Sequence, residues 1–520
     1  MGIEPIRQFL LQGNIESFRR KKAIMNFERS SGILLHISSL PGCDGIGDLG
    51  KCAFEFIDFL AETKTKYWQV LPLNPTGYGN SPYQGLSAIA GNPLFISLDE
   101  LVAQNLLSQA DLHHRPRFPR NKIDFGKVIP WKMDALHLAF CNFRHRQLPE
   151  TVRAFNSFCR KNKSWLDDFA LFNTIKNQQD LQAWDTWSDE LRFRDPKALK
   201  AYQREMKDQI QEQKFFQYLF FTQWLRIKKY ANDKGIQIIG DIPIFVGYDC
   251  ADTWTNPELF YFDKERKPTV VAGVPPDFFS KTGQLWGNPL YDWEKHKATG
   301  YAWWIERIKN TLELVDVIRL DHFRGFAGYY EIPAGSKTAE FGRWVKGPGK
   351  DLFDALYKHF GDLPFIAEDL GVMTPDVIEL RERYDLPGMK IVQFGFNPNP
   401  EIDFLPHNIN HHAVAYTGTH DNSTVKGWFR SVPKSAQEHF LAYVGRTRET
   451  VSHAMIRVLW QSRALFAIAP MQDVLDLGDE ARMNLPGSLG DNWEWIMAKK
   501  WNSEHLKEWL LEINQLYSRD

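Results

Sequence analysis

The chain has 520 residues, 43% of them hydrophobic, a globular composition long enough for a large core. Its 63 lysines and arginines face 64 aspartates and glutamates, so no net field draws it to nucleic acid or to an anionic membrane. The longest apolar runs have strand length, which excludes a membrane-spanning helix.

Residues 1–30 read as an N-terminal extension. Their apolar piece is too short for a secretory signal, and the basic cluster follows it instead of preceding it. The sixth residue is Ile6, where a myristoylation signal places Ser or Thr, and Met25 offers a second start. Cys43, Cys52, Cys141, Cys159 and Cys250 form an odd set with no CxxC pair, which points to a reducing, cytoplasmic setting. Aromatic residues reach 14%, with 18 Trp, enough for core packing and for stacking on flat apolar faces such as sugar rings.

From residue 31 onward, eight short apolar runs recur: 32–40, 67–73, 236–246, 315–323, 364–371, 389–396, 412–420 and 464–473. Continuous apolar runs suit parallel strands covered on both faces. Helical patterns follow several of them, as in "CAFEFIDFLAET" and in "TPDVIELRERY", where Thr374 is the N-cap and Pro375 opens the first turn. Eight βα units over 31–520 predict a (β/α)8 TIM barrel, with an open doubly wound sheet as the rival. The spacing is uneven. The second and third runs lie so far apart that an inserted, mostly helical subdomain is expected over about 75–232. The third and fourth are separated by a loop-rich insertion over about 247–312, dense in Trp, Pro, Gly and Asn. Both insertions would emerge at the C-terminal rim of the barrel, where sites are built.

Several motifs have an ordinary explanation. Gly45, Gly47 and Gly50 make a GxGxxG after a strand, but the next strand ends in Leu73 and Asn74 where a dinucleotide fold places an acid. A tight rim turn explains the glycines better. His407, His411 and His412 lack the one-face spacing and the neighbouring carboxylate of a metal site. No metal and no organic cofactor is implied.

Three strand ends carry acids. The fourth run ends with Arg319 and Asp321, two apart and so on one face. The fifth ends in "AEDLG" with Glu368, and the seventh in "TGTHDN" with His420 and Asp421. By strand alternation His322 turns away from Asp321 unless the strand has already ended. Each acid alone has a bland reading as an ion pair or a turn. At the C-terminal ends of three barrel strands they converge on one mouth. Like charges held close raise the pKa of one member while an arginine keeps another ionised, the arrangement that glycoside chemistry needs.

"IRLDHFRG", "AEDLG" and "GTHDN" resemble the signature of the α-amylase clan of retaining enzymes. "YWQVLPLNPTGYGNSPYQGLSAIAGNPLFISL", "GDIPIFV", "PPDFFSKTGQLWGNP" and "RMNLPG" narrow the resemblance to the 4-α-glucanotransferase (amylomaltase, disproportionating-enzyme) family. The resemblance implies Asp321 as nucleophile, Glu368 as general acid/base and Asp421 as the acid that binds sugar hydroxyls and strains the ring. It implies that Arg319 holds Asp321 ionised and oriented, that His420 bonds hydroxyls of the same sugar, and that Tyr83 stacks on donor sugar. Gln284, Trp286 and Asn288 would belong to a loop over the acceptor side, with Asp277 just before it and Asn484 and Pro486 on the rim. Asp241 stands where amylases carry an acid but lacks their following His, so it is expected to be a structural or subsite residue. The implied reaction moves a 4-α-glucan segment to the 4-hydroxyl of another glucan or of glucose. A hydrolytic amylase or debranching enzyme of the same clan, or a non-catalytic glucan-binding barrel, are the alternatives.

Overall fold

The computed structural model describes residues 27–276, 280–488 and 490–520. Eight parallel strands close into a barrel: β1 (Ser30–Leu34), β2 (Tyr67–Gln69), β3 (Gln237–Ile242), β4 (Val317–Leu320), β5 (Phe365–Ala367), β6 (Gly388–Ile391), β7 (Ala413–Tyr416) and β8 (Phe466–Pro470). Neighbours in sequence are neighbours in the barrel, and β8 pairs with β1. Each predicted apolar run overlaps one of these strands, with β1 and β6 starting one or two residues earlier, and the closed ring replaces the open-sheet rival. The strands are short, and nearly all of their residues are buried. With the barrel interior on one face and helices on the other, both sides of a strand such as β4 must be apolar until its end. Full burial of each aliphatic side chain, Ile239 or Ile318 for example, contributes about 1.5–3 kcal/mol.

The seam between β1 and β8 is clamped by a cation. Arg519 is fully buried, and its guanidinium donates to the carbonyls of Ser30, Trp460, Ser462 and Ala464. Arg29 donates to Trp460 O and Ser462 O from the other side. The Trp460 and Ser462 carbonyls lie at a helix end and the Ala464 carbonyl in the link to β8, so none of these three belongs to the barrel ladder, whereas Ser30 is already paired with Phe466.

Between β2 and β3 the chain forms helices Phe125–Arg146, Pro149–Lys161, Lys163–Gln178 and Lys207–Asp233. They pack through aromatic contacts such as Phe143 on Phe215, with ring centroids 4.5 Å apart. Residues after β3 and β4 contribute a feature that the sequence pattern did not announce. Strands Gln284–Pro289, Val270–Val274, Gly328–Pro333 and Arg343–Lys346 form a four-stranded antiparallel sheet with its own small core of Val271, Tyr330, Ile332 and Ala339. Gln284, Trp286 and Asn288, expected in a loop, therefore stand on a strand. The period-2 signal there is masked by glycine and proline in a strand whose outer half is exposed. Among the described residues no helix is long and apolar enough to cross a membrane.

Candidate active site

The acids meet because of register. In the β3–β4 ladder Asp241 is the direct neighbour of Arg319. The Arg319 Nη1 donates to both Asp241 oxygens, at 2.9 and 2.7 Å, and Nη2 lies 2.9 Å from Asp321 Oδ1. One guanidinium thus spans two strand ends and holds two carboxylates. β4 stops at Leu320, one residue before Asp321. The ladder to β5 continues past it: Glu368 N donates to Leu320 O, and Phe323 N donates to Glu368 O. This sets Glu368 across from the turn that carries Asp321. Its Oε2 accepts the His322 N–H at 2.7 Å and its Oε1 accepts the Leu370 N–H at 3.0 Å. His322 has φ of +50°, so the strand alternation that would turn it away from Asp321 no longer applies. Its ring instead meets Trp286 edge-on, with centroids 4.8 Å apart.

The electrostatics separate the two acids. Burial first, then the charge of Asp321, push the Glu368 carboxyl up to about 7 against the pull of Arg319 and two backbone N–H groups. Asp321 has the Arg319 guanidinium in direct contact. Burial and Asp321 also raise Asp241, while Arg319 opposes them. Burial lowers Arg319, but Asp241 and Asp321 outweigh it and hold the guanidinium firmly charged. A carboxylic acid able to donate a proton near neutrality therefore sits beside a carboxylate locked to a cation.

Asp421 follows β7 in a turn whose Asn422 Oδ1 accepts the Thr419 N–H. Asn484 Nδ2 donates to Asp421 Oδ1 at 2.6 Å, and His420 Nε2 lies 3.4 Å from Oδ2. Tyr83 joins the two sides of the mouth. Its hydroxyl donates to Asp241 Oδ2 at 2.8 Å, and its ring stacks on His420 with centroids 5.0 Å apart. Gln284 is exposed and its Oε1 accepts from Trp286 Nε1. Asn288 is buried, with its amide shared between Gln84 and the Val246 carbonyl. Pro486 is exposed in a turn beyond Asn484. Asp277 lies outside the described residues.

Three further residues belong to this cluster. Trp493 packs against both Tyr83 and His420 at 5.8 Å. Arg482 donates to the Asp421 carbonyl and to Asn484 O, tying the rim segment to the third acid. His36 is buried next to His420, and burial followed by the charge of His420 lowers it to about 3, which keeps its ring neutral. Trp493 and Arg482 lie in the same Gly/Asn-rich stretch as Asn484, a usable signal; His36 sits in an apolar run and gave none. The motifs given ordinary explanations have them. A Cβ at Gly47 would stand 1.9 Å from the Ile37 carbonyl, and Gly45 has φ of +77°, so the turn requires glycines for its path alone. His407, His411 and His412 go to three different partners: Tyr443, Arg463 O and Asp385.

Comparison with known proteins places this site in a family. The profile of the 4-alpha-glucanotransferase family matches residues 35–500. A 4-alpha-glucanotransferase of Streptococcus pneumoniae is 48% identical over 496 residues, covering 95% of this chain and 98% of that protein. A chloroplastic/amyloplastic 4-alpha-glucanotransferase of Solanum tuberosum is 42% identical over 488 residues, covering 92% of this chain and 84% of its own length. Among solved structures, an amylomaltase from Streptococcus agalactiae in complex with acarbose superposes with a TM-score of 0.91 at 39% identity, covering 95% of this chain and all of the other. The chain belongs to the 4-alpha-glucanotransferase family.

Proposed function

We propose that this mouth transfers 4-α-glucan segments by double displacement, with Asp321 as nucleophile, Glu368 as general acid/base and Asp421 as the sugar-holding acid. The observation that carries the assignment is the split between the two carboxyls: Glu368 raised to about 7 and Asp321 paired to Arg319. Asp321 attacks C1 of an α-1,4-glucan. The C1–O4 bond breaks, and Glu368 gives its proton to the departing O4. A β-glucosyl ester on Asp321 remains. The 4-hydroxyl of a second glucan, or of glucose, then attacks C1 while Glu368 takes its proton, and the ester bond to Asp321 breaks. Asn484 and His420 fix Asp421 toward the sugar hydroxyls, and Tyr83 offers its ring beside them. Trp286 stands over the turn of Asp321 and His322, where it would keep water from the ester. The substrates are maltooligosaccharides and related glucans, and the setting is the cytoplasm, in keeping with five unpaired cysteines.

Incubation with maltotriose and labelled glucose tests the reading. Transfer gives a ladder of longer glucans that carry label at their reducing ends. A product set of maltose and glucose alone, or full transfer by Asp321→Asn, refutes it.

A further inference from the structure

A second groove of about 470 Å³ opens beside the catalytic mouth, and none of the three acids lines it. Its walls come from the short helix Arg324–Ala327 just after Asp321, the sheet strand Arg343–Lys346, the start of helix Lys350–Phe360 and one side of helix Pro375–Arg383 along its length. Arg324, Lys346, Lys350 and Arg383 line it, against Asp376 and Glu379. Lys346 and Lys350 are exposed and form no salt bridge among the described residues. The Arg324 guanidinium lies over the Trp344 ring, 4.0 Å from its centroid; Nη1 donates to the Val372 carbonyl and Nε is buried without a partner.

The helix starts sharpen this. Thr374 and Gly349 hold the two N-cap positions, and both line the groove. Neither helix receives a side-chain cap, including the one that Thr374 was expected to supply. The positive ends of two helices thus add to four cationic side chains in one concavity; Pro375 has no N–H, the Asp351 and Val377 N–H groups already donate to the Pro348 and Thr374 carbonyls, and each first turn carries one acid, Asp351 or Asp376, so the side chains supply most of the donors.

We propose that this groove is a phosphate site, shaped to take the phosphate of a sugar-sized monoester. A phosphate carries a double negative charge and three acceptor oxygens, which matches a lining of four cations against two acids. The volume is that of a small-molecule pocket, and Trp344, Ala327 and Leu380 give the organic part an apolar wall. A neutral glucan is a poor fit. Its hydroxyls gain little from four cations compared with a dianion.

Calorimetric titration of the full chain at constant ionic strength tests the site, with glucose 6-phosphate, inorganic phosphate and glucose as probes. The expected result is saturable binding of glucose 6-phosphate with Kd on the order of 1 mM or tighter, and none of glucose. Inorganic phosphate binding as tightly as the ester would support the site with the free anion as its occupant. Lys346→Glu/Lys350→Glu should weaken binding at least about tenfold while leaving maltotriose disproportionation unchanged. Lys346→Gln/Lys350→Gln, with a melting curve, separates lost charge from lost folding. Three results overturn the proposal: no saturation up to roughly 10 mM, glucose binding as well as its phosphate, or binding that survives the charge reversal and is displaced by maltotriose.

Discussion

Replacement of Glu368 by Gln separates the two properties that the mouth gives this residue. In the folded chain its carboxyl is raised from 4.5 to about 7, so the native state holds a proton that the unfolded chain releases. The group therefore lowers stability as pH rises from about 4.5 through about 7, and the full effect is present above that window. The gap corresponds to about 3 kcal/mol at pH 8. Gln carries no charge and removes the penalty. It also turns an amide N–H₂ toward one of two backbone donors, His322 N–H or Leu370 N–H, at about 1–3 kcal/mol. That second effect does not vary with pH, so the pH dependence isolates the first. Urea midpoints for both proteins at pH 5 and pH 8 should show the variant gaining on the parent by up to about 3 kcal/mol between the two. Activity changes the other way. Glycosyl transfer from maltotriose should fall by roughly 10²–10⁴, the usual contribution of a general acid, and the parent's rate should decline above about pH 7. α-Glucosyl fluoride needs no proton on its leaving group, so the first step with that donor should survive in the variant. Parallel stability profiles across pH 5–8, or an equal loss with the fluoride, would refute the reasoning.

Three other substitutions probe the supporting structure. Arg319→Met leaves Asp241 buried with only Tyr83 as partner and should destabilise the fold by about 3–5 kcal/mol by denaturant titration; adding Asp241→Asn should restore stability but not transfer. Trp286→Ala opens the side of the His322 turn, so the ratio of reducing-end release to transfer should rise with maltotriose as substrate. Arg519→Ala leaves the Ala464 carbonyl at the barrel seam without its donor, removes one donor each from Ser30, Trp460 and Ser462, and should lower stability by about 3 kcal/mol or more, with the residual activity of folded protein unchanged.

The barrel and the acids were legible in the chain for one physical reason. A parallel strand covered on both faces must be apolar along its length, so an ionisable residue at its end stands out. Arg319 with Asp321, then Glu368 and then Asp421, announce themselves that way. The antiparallel sheet was not legible, because a half-exposed strand such as Gln284–Pro289, interrupted by glycine and proline, carries too weak an alternation. His36 was hidden for the opposite reason, sitting inside an apolar run among neighbours of similar burial.

The sequence by itself determined that eight strands form and that three of them end in acids, since both facts follow from local pattern. It also determined the family, through long motifs. The tertiary structure decided how each acid is held. The β3–β4 register puts Asp241 and Asp321 on one guanidinium, and closure of the barrel buries Glu368 near Asp321. Protonation depends on what surrounds a carboxyl in space, and those surroundings come from segments as distant as Tyr83, Asp241, Arg319 and Asn484.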